Sequence, residues 1–166
     1  PVWVVLDGSG NAPMSAAVAR TFDRAGLAPG HLVVGVDNVP RGRNQDLLPP
    51  GRNANGVDGG ADALLEFFET ELIPEIESRY RTTDVRLLSG HSLGGLFVGY
   101  ALDTRPELFD AYFAFSPSYW VADGAEADRM IAVASAGVGD ASVYLNIGDE
   151  SGPMRVHFDR VAEAVA

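Results

Sequence analysis

The chain contains no cysteine, and this absence excludes three kinds of chemistry together. Disulfide bonds, thiolate metal sites and a cysteine nucleophile all require a thiol. A chain without cysteine is compatible with both reducing and oxidising compartments. The composition therefore leaves the localisation, cytoplasmic or secreted, undetermined.

Basic residues are scarce, and long hydrophobic runs are missing. Lys and Arg total 12 against 23 Asp and Glu, which gives a net charge of −11. Because such a surface repels phosphate backbones and anionic lipid headgroups, we expect no nucleic-acid partner. No apolar run approaches the ~18 residues of a membrane-spanning helix, so no membrane insertion is expected. The three scattered histidines have no metal-ligand spacing, and the sequence predicts no metal and no cofactor.

The apolar content is sufficient for one hydrophobic core. Of the 166 residues, 46% are hydrophobic and 21% are charged, and neither a repeat nor a low-complexity linker divides them. This length suits one domain over 1–166. The chain begins at Pro1 and enters an apolar run directly, without a basic region or a cleavage site before it. We therefore expect it to be part of a longer protein.

Predicted strands and helices alternate along the chain. The strands are 2–6, 31–36, 85–89, 111–115 and 142–147, and the helices are about 14–25, 61–79, 93–103, 125–136 and 154–165. Pro74 should kink the second helix, whereas 37–60 shows no period and resembles a functional loop. Alternation without tight hairpin turns predicts a mostly parallel sheet between helices, an incomplete three-layer α/β/α sandwich. In this architecture, functional residues follow the carboxyl ends of the strands.

The motif Gly90-His91-Ser92-Leu93-Gly94 lies between a predicted strand and a predicted helix. This arrangement is typical of a nucleophile elbow, where a strained turn projects the serine hydroxyl and nearby glycines avoid a clash. In the alternative interpretation, the glycines only permit close helix packing and Ser92 caps the helix. Backbone N–H groups at Leu93 and near Ser9 could form an oxyanion hole. Asp149 and Glu150 follow the last clear strand, where an acid that orients a catalytic histidine is expected.

Several segments resemble the putative esterase (esterase D, enterochelin esterase-like) family of α/β-hydrolases. They are Leu6-Asp7-Gly8, Val39-Pro40-Arg41-Gly42-Arg43, Glu71-Leu72-Ile73-Pro74, Gly90 to Phe97, Arg105 to Ala111, Ser116-Pro117-Ser118 with Trp120, and Gly148-Asp149-Glu150. The resemblance covers nearly the whole chain. It implies an α/β-hydrolase fold and a serine carboxylic-ester hydrolase that forms an acyl-enzyme on a small-molecule ester. Siderophore esterases, feruloyl and acetylxylan esterases, S-formylglutathione hydrolases and mycolyl-transferring enzymes belong to this family.

The resemblance also assigns roles to individual residues. It implies Ser92 as nucleophile, Leu93 and Ser9 as oxyanion donors, and an acid at Glu150 or Asp149. Glu150 fits better, because the family commonly has a Gly-rich turn followed by Glu and then Met. An acyltransferase and a non-catalytic binding domain on the same fold remain alternatives.

Three further side chains are candidates for substrate binding. Arg41 and Arg43 either reach toward an acidic or catechol-bearing substrate or are solvated loop charges. Trp120 either lines the acyl pocket or covers the end of the sheet as a core aromatic residue.

The expected catalytic histidine has no clear counterpart in this sequence. His31 opens a strand at the amino-terminal side of the sheet, His91 occupies the variable position of the elbow, and His157 follows Glu150 by only seven residues. The order serine, acid, histidine calls for a later loop. We therefore expect the catalytic histidine to lie outside this chain, together with the last part of the domain. The sequence leaves the oligomeric state open.

Overall fold

The computed structural model describes residues 1–38, 42–54 and 57–165. Its main sheet has five strands, β1 (Val2–Leu6), β2 (Leu32–Val36), β5 (Arg86–His91), β6 (Ala111–Phe115) and β7 (Ser142–Asn146). The strand order is β2-β1-β5-β6-β7, and every neighbouring pair is parallel. All five strands were predicted, and the parallel α/β sheet is confirmed.

Helices cover both faces of the sheet. They are α1 (Gly8–Arg24), α2 (Arg43–Leu47), α3 (Ala61–Phe67), α4 (Ile73–Arg79), α5 (Leu93–Thr104), α6 (Ala125–Ala136) and α7 (Pro153–Val165). Val4 and Leu6 of β1 point into the main core with Phe68 and Phe97. Gly35 faces the other way, because a Cβ built on it would lie 2.9 Å from the Ala12 Cβ of α1. The main core therefore lies on one side of the sheet and α1 on the other.

Helix α1 begins at Gly8, so the predicted start at about residue 14 was wrong. The segment that follows β1 contains Gly8, Gly10 and Asn11, which favour turns in isolation. Tertiary contact overrides that preference, because a Cβ on Gly8 would lie 2.5 Å from the backbone of Gly35. Only glycine lets the first turn of α1 pack this closely on β2.

The helix predicted over 61–79 is not α-helical throughout. A π-helical turn at Phe68–Leu72 separates α3 from α4, and Pro74 lies in the first turn of α4. Proline cannot donate the usual backbone hydrogen bond, and a π turn accommodates that loss within a continuous helix.

The segment 37–60 contains more regular structure than the sequence predicted. Helix α2 lies within it, followed by an antiparallel pair of two-residue strands, β3 (Asn53–Ala54) and β4 (Val57–Asp58). These elements are too short to show a hydrophobic period.

Candidate active site

Ser92 lies in the sharp turn between β5 and α5. Its backbone has φ 60° and ψ −117°, and its N–H donates to the Phe115 carbonyl at 3.0 Å. A Cβ on Gly90 would lie 2.4 Å from the Gly94 backbone, so this crossing requires glycine. The strained turn expected of an elbow is confirmed. Ser92 occupies the N-cap position of α5, but its side chain makes no capping hydrogen bond.

A second serine, Ser118, lies beside Ser92 in the loop after β6. The two hydroxyl oxygens are 3.3 Å apart, and the Ser118 N–H donates to the Ser92 carbonyl at 3.1 Å. Ser118 is only 1% exposed. Its sequence motif supported the family resemblance, but no sequence signal placed its hydroxyl beside that of Ser92.

Glu150 follows β7 and folds back over Gly148. A Cβ on Gly148 would lie 2.8 Å from Glu150 Oε2. That oxygen is buried and has no hydrogen-bond partner among the described residues. The Ser116 hydroxyl is the main cause that holds the pKa of the Glu150 carboxyl below its ordinary value, with backbone N–H donors adding to it.

Asp149 has a different environment. It is exposed, and within the described part of the chain its carboxylate forms no hydrogen bond or ion pair. Of the two adjacent acids, only Glu150 has a carboxylate oxygen enclosed by the protein.

The two predicted oxyanion donors differ in their present contacts. Leu93 is the first residue of α5 and directly follows Ser92, as an oxyanion donor next to a nucleophile should. The Ser9 N–H donates to both carboxylate oxygens of Asp37, at 3.0 and 3.2 Å, and the Ser9 hydroxyl bonds the same carboxylate. Asp37 therefore occupies the Ser9 donors in this structure.

Arg43 joins the loop after β1 to the elbow. Its guanidinium donates to both Asp7 carboxylate oxygens, at 2.6 and 2.9 Å, and to the His91 carbonyl at 3.1 Å. Arg43 is therefore not a free loop charge, but 37% of its side chain is exposed, and its role in substrate binding stays a prediction. Arg41 lies outside the described residues. Trp120 is 47% exposed, so it does not cover the sheet as a core residue and remains a candidate for substrate contact.

None of the three histidines hydrogen-bonds Ser92 or Glu150 within the described residues. His31 packs against Trp3 with ring centroids 6.3 Å apart, at the amino-terminal end of β2. His157 packs on Gly124, where a Cβ would come within 3.0 Å of its Nε2, and its Nδ1 lies 3.3 Å from Arg160. His91 is exposed, and its charge makes only the smallest contribution to the lowered pKa of Glu150.

The described residues contain no cluster of three or more acidic or histidine side chains that could hold a metal ion. No helix in the same part of the chain is both long and apolar enough to cross a membrane.

Comparison with known proteins shows the family to which the chain belongs. Residues 1–165 match the family described as Putative esterase. The chain is 36% identical over 132 residues to the siderophore triacetylfusarinine C esterase of Aspergillus fumigatus, covering 72% of this chain and 44% of that protein. It is 48% identical over 64 residues to the ferri-bacillibactin esterase BesA of Bacillus subtilis, covering 37% of this chain and 22% of that protein.

A solved structure shares the fold over nearly the whole chain. The BES protein of Bacillus cereus superposes with a TM-score of 0.81 at 26% identity, covering 98% of this chain and 70% of that one. The chain spans less than half the length of the two curated relatives described above. The family match runs from the first strand through α7 and includes the elbow, so the chain belongs to the Putative esterase family.

Proposed function

We propose that this chain carries the nucleophile and the acid of a serine carboxylic-ester hydrolase that acts through an acyl-enzyme on Ser92. The proposal rests on the strained backbone of Ser92 in the elbow. This backbone is held by the hydrogen bond from the Ser92 N–H to the Phe115 carbonyl and by the close packing of Gly90 on Gly94. Such strain persists only where surrounding structure imposes it, and it is typical of functional sites.

The reaction follows from this placement. Ser92 Oγ bonds to the ester carbonyl carbon while its proton passes to a general base, and the carbonyl oxygen becomes an oxyanion. We propose that the Leu93 N–H stabilises that oxyanion, and the support is that Leu93 directly follows Ser92 as the first residue of α5. When the ester C–O bond breaks, the alcohol leaves with the proton from the base. Water then repeats the sequence on the acyl-enzyme, releasing the carboxylic acid and restoring Ser92.

We propose that the general base is a histidine outside these 166 residues. The support is geometric, because none of the imidazoles at positions 31, 91 and 157 bonds Ser92 or Glu150 within the described residues. Glu150 Oε2 is a buried acceptor without a partner there. Since a buried acceptor is costly to leave unpaired, an imidazole N–H is a suitable donor for it.

For the substrate class, we propose an ester-linked siderophore. The relative from Aspergillus fumigatus is named a siderophore triacetylfusarinine C esterase, and the one from Bacillus subtilis is named a ferri-bacillibactin esterase. The substrate class is tested by measuring kcat/KM for a siderophore ester and for simple acetyl, feruloyl and thioester substrates. The proposal predicts a higher kcat/KM for the siderophore ester.

The direct test of the mechanism is the Ser92→Ala variant in the full-length protein that the gene encodes. Hydrolysis of p-nitrophenyl butyrate should fall by about 10⁴-fold or more, because the other groups alone give only residual catalysis. Ser135→Ala is the matched control, since Ser135 is exposed on α6 and, among the described residues, its hydroxyl bonds only the Ile131 carbonyl. Full activity in Ser92→Ala would reject the proposal.

A further inference from the structure

The segment Ser116-Pro117-Ser118 contacts both the nucleophile and the loop that carries the acid. On one side, the Ser118 hydroxyl lies 3.3 Å from Ser92 Oγ. On the other side, Ser116 Oγ accepts the Gly148 N–H at 3.2 Å, and the Ser116 N–H donates to the Asn146 carbonyl at 2.9 Å. Three consecutive residues therefore connect the ends of β5 and β7.

The segment is held in one conformation. Ser116 has φ 43°, which is unusual for a residue with a side chain, and Pro117 has a fixed φ. Both serines are buried. A Cβ on Gly95 would lie 3.0 Å from Pro117 Cα, so the segment packs directly on α5. Because the segment is rigid, the positions of the residues at the end of β5 and at the end of β7 depend on each other.

We propose that Ser118 and Ser116 are positioning residues of the active site, Ser118 for the Ser92 hydroxyl and Ser116 for the Glu150 loop. This inference rests on the proposed function and deepens it, because it assigns roles to two side chains that the serine–acid–histidine scheme does not use.

The role of Ser118 follows from the fate of Ser92 Oγ. In acylation, this oxygen loses its proton to the base and bonds to the carbonyl carbon. In deacylation, the same bond breaks and the oxygen regains a proton. Negative charge therefore develops on one atom in both half-reactions, and the Ser118 O–H is placed to donate to it. The backbone bond from Ser118 N–H to the Ser92 carbonyl fixes this distance.

Ser116 acts through Glu150. Its Oγ accepts a hydrogen bond from the Gly148 N–H, and Gly148 packs against the Glu150 carboxylate. Its hydroxyl also favours the ionised carboxylate, which is the form that orients an imidazole. Loss of this hydroxyl should misplace the acid without removing it.

The test uses the full-length protein and the rate at which a fluorophosphonate labels Ser92, with kcat and KM for p-nitrophenyl butyrate measured in parallel. Ser118→Ala should lower the labelling rate and kcat by about 10- to 100-fold, as for loss of one strong transition-state hydrogen bond. KM and the circular dichroism spectrum should stay near their original values. Ser135→Ala should label at the original rate.

The Ser116→Ala variant is measured in the original protein and in a Glu150→Gln background. If Ser116 acts through Glu150, it lowers kcat in the first and has little further effect in the second. An equal loss in both backgrounds would overturn the role of Ser116. Ser118→Ala, in contrast, should lower the labelling rate in both backgrounds.

The outcomes separate this inference from the proposed function. If Ser118→Ala labels Ser92 at the original rate, the positioning role of Ser118 is rejected while the serine mechanism stands. If the fluorophosphonate modifies another residue and leaves Ser92 free in the original protein, the proposed mechanism and this inference both fail.

Discussion

Glu150 and Asp149 are neighbours in the sequence, but the fold gives them different surroundings. Glu150 has a buried carboxylate oxygen without a hydrogen-bond partner among the residues that the structure describes, whereas Asp149 is exposed. A carboxylate that orients an imidazole must be enclosed and fixed in position. The contrast favours Glu150, in agreement with the family pattern.

We predict that Glu150→Gln in the full-length protein lowers kcat by several orders of magnitude, with ~10⁴ as the guide from triads that lose their acid. Asp149→Asn is the matched control, because it makes the same chemical change one residue away and should retain nearly full activity. Ester hydrolysis at pH 7 measures both. A large loss in Asp149→Asn with little loss in Glu150→Gln would reverse the assignment.

A residue could be predicted from the sequence when its role depends on positions next to it in the chain. Ser92 was singled out as a candidate because strand, glycines, serine and helix follow one another within a few positions. Ser118 and Asp37 were not, because Ser118 approaches Ser92 from 26 positions away and Asp37 approaches Ser9 from 28 positions away. Such contacts arise from strand order, which a single sequence does not display.

Helix α1 shows the same limit at the scale of an element. Its first turn contains two glycines in different environments. A Cβ on Gly8 would meet the Gly35 backbone at 2.5 Å, whereas no atom in the described part of the chain lies within 4 Å of one on Gly10. The start of α1 is therefore set by the neighbouring strand. Local propensity alone predicts a start several residues after the observed one.

These two glycines provide a matched pair of substitutions. Gly8→Ala should destabilise the protein by about 1–3 kcal/mol, because the new methyl group is forced against backbone. Gly10→Ala should stabilise it by up to about 1 kcal/mol, because alanine is the better helix former and the site is open. Urea unfolding measures both. Equal effects of the two substitutions would contradict the docking of α1 on β2.

At the scale of the whole molecule, alternation of strands and helices was enough to predict a parallel sheet, because parallel neighbours need a crossover between them. The order of the strands in the sheet could not be predicted from the sequence and was known only from the structure. That order places Ser92 after the central strand β5 and Glu150 after β7, with the loop that follows β6 between them. The site is thus a product of topology and of one local motif.

The proposed location of the base also concerns the whole protein. We predict that the 166-residue chain alone hydrolyses p-nitrophenyl butyrate no better than the residual ~10³–10⁴ over water of enzymes that lack a triad member. The full-length gene product should turn over far faster. His157→Ala in the full-length protein is the control and should remain active. Equal, Ser92-dependent turnover by both lengths would make a histidine of this chain the base.

The most direct measurement of the central claim is to trap the acyl-enzyme. The full-length protein is mixed with p-nitrophenyl acetate, quenched in acid within the first turnover and digested for mass spectrometry. We predict an acetyl group on the peptide that contains Ser92, assigned to that serine by fragmentation and absent from Ser92→Ala. An acetyl group on a different residue during productive turnover, or equal turnover by Ser92→Ala, would contradict a serine acyl-enzyme at this elbow.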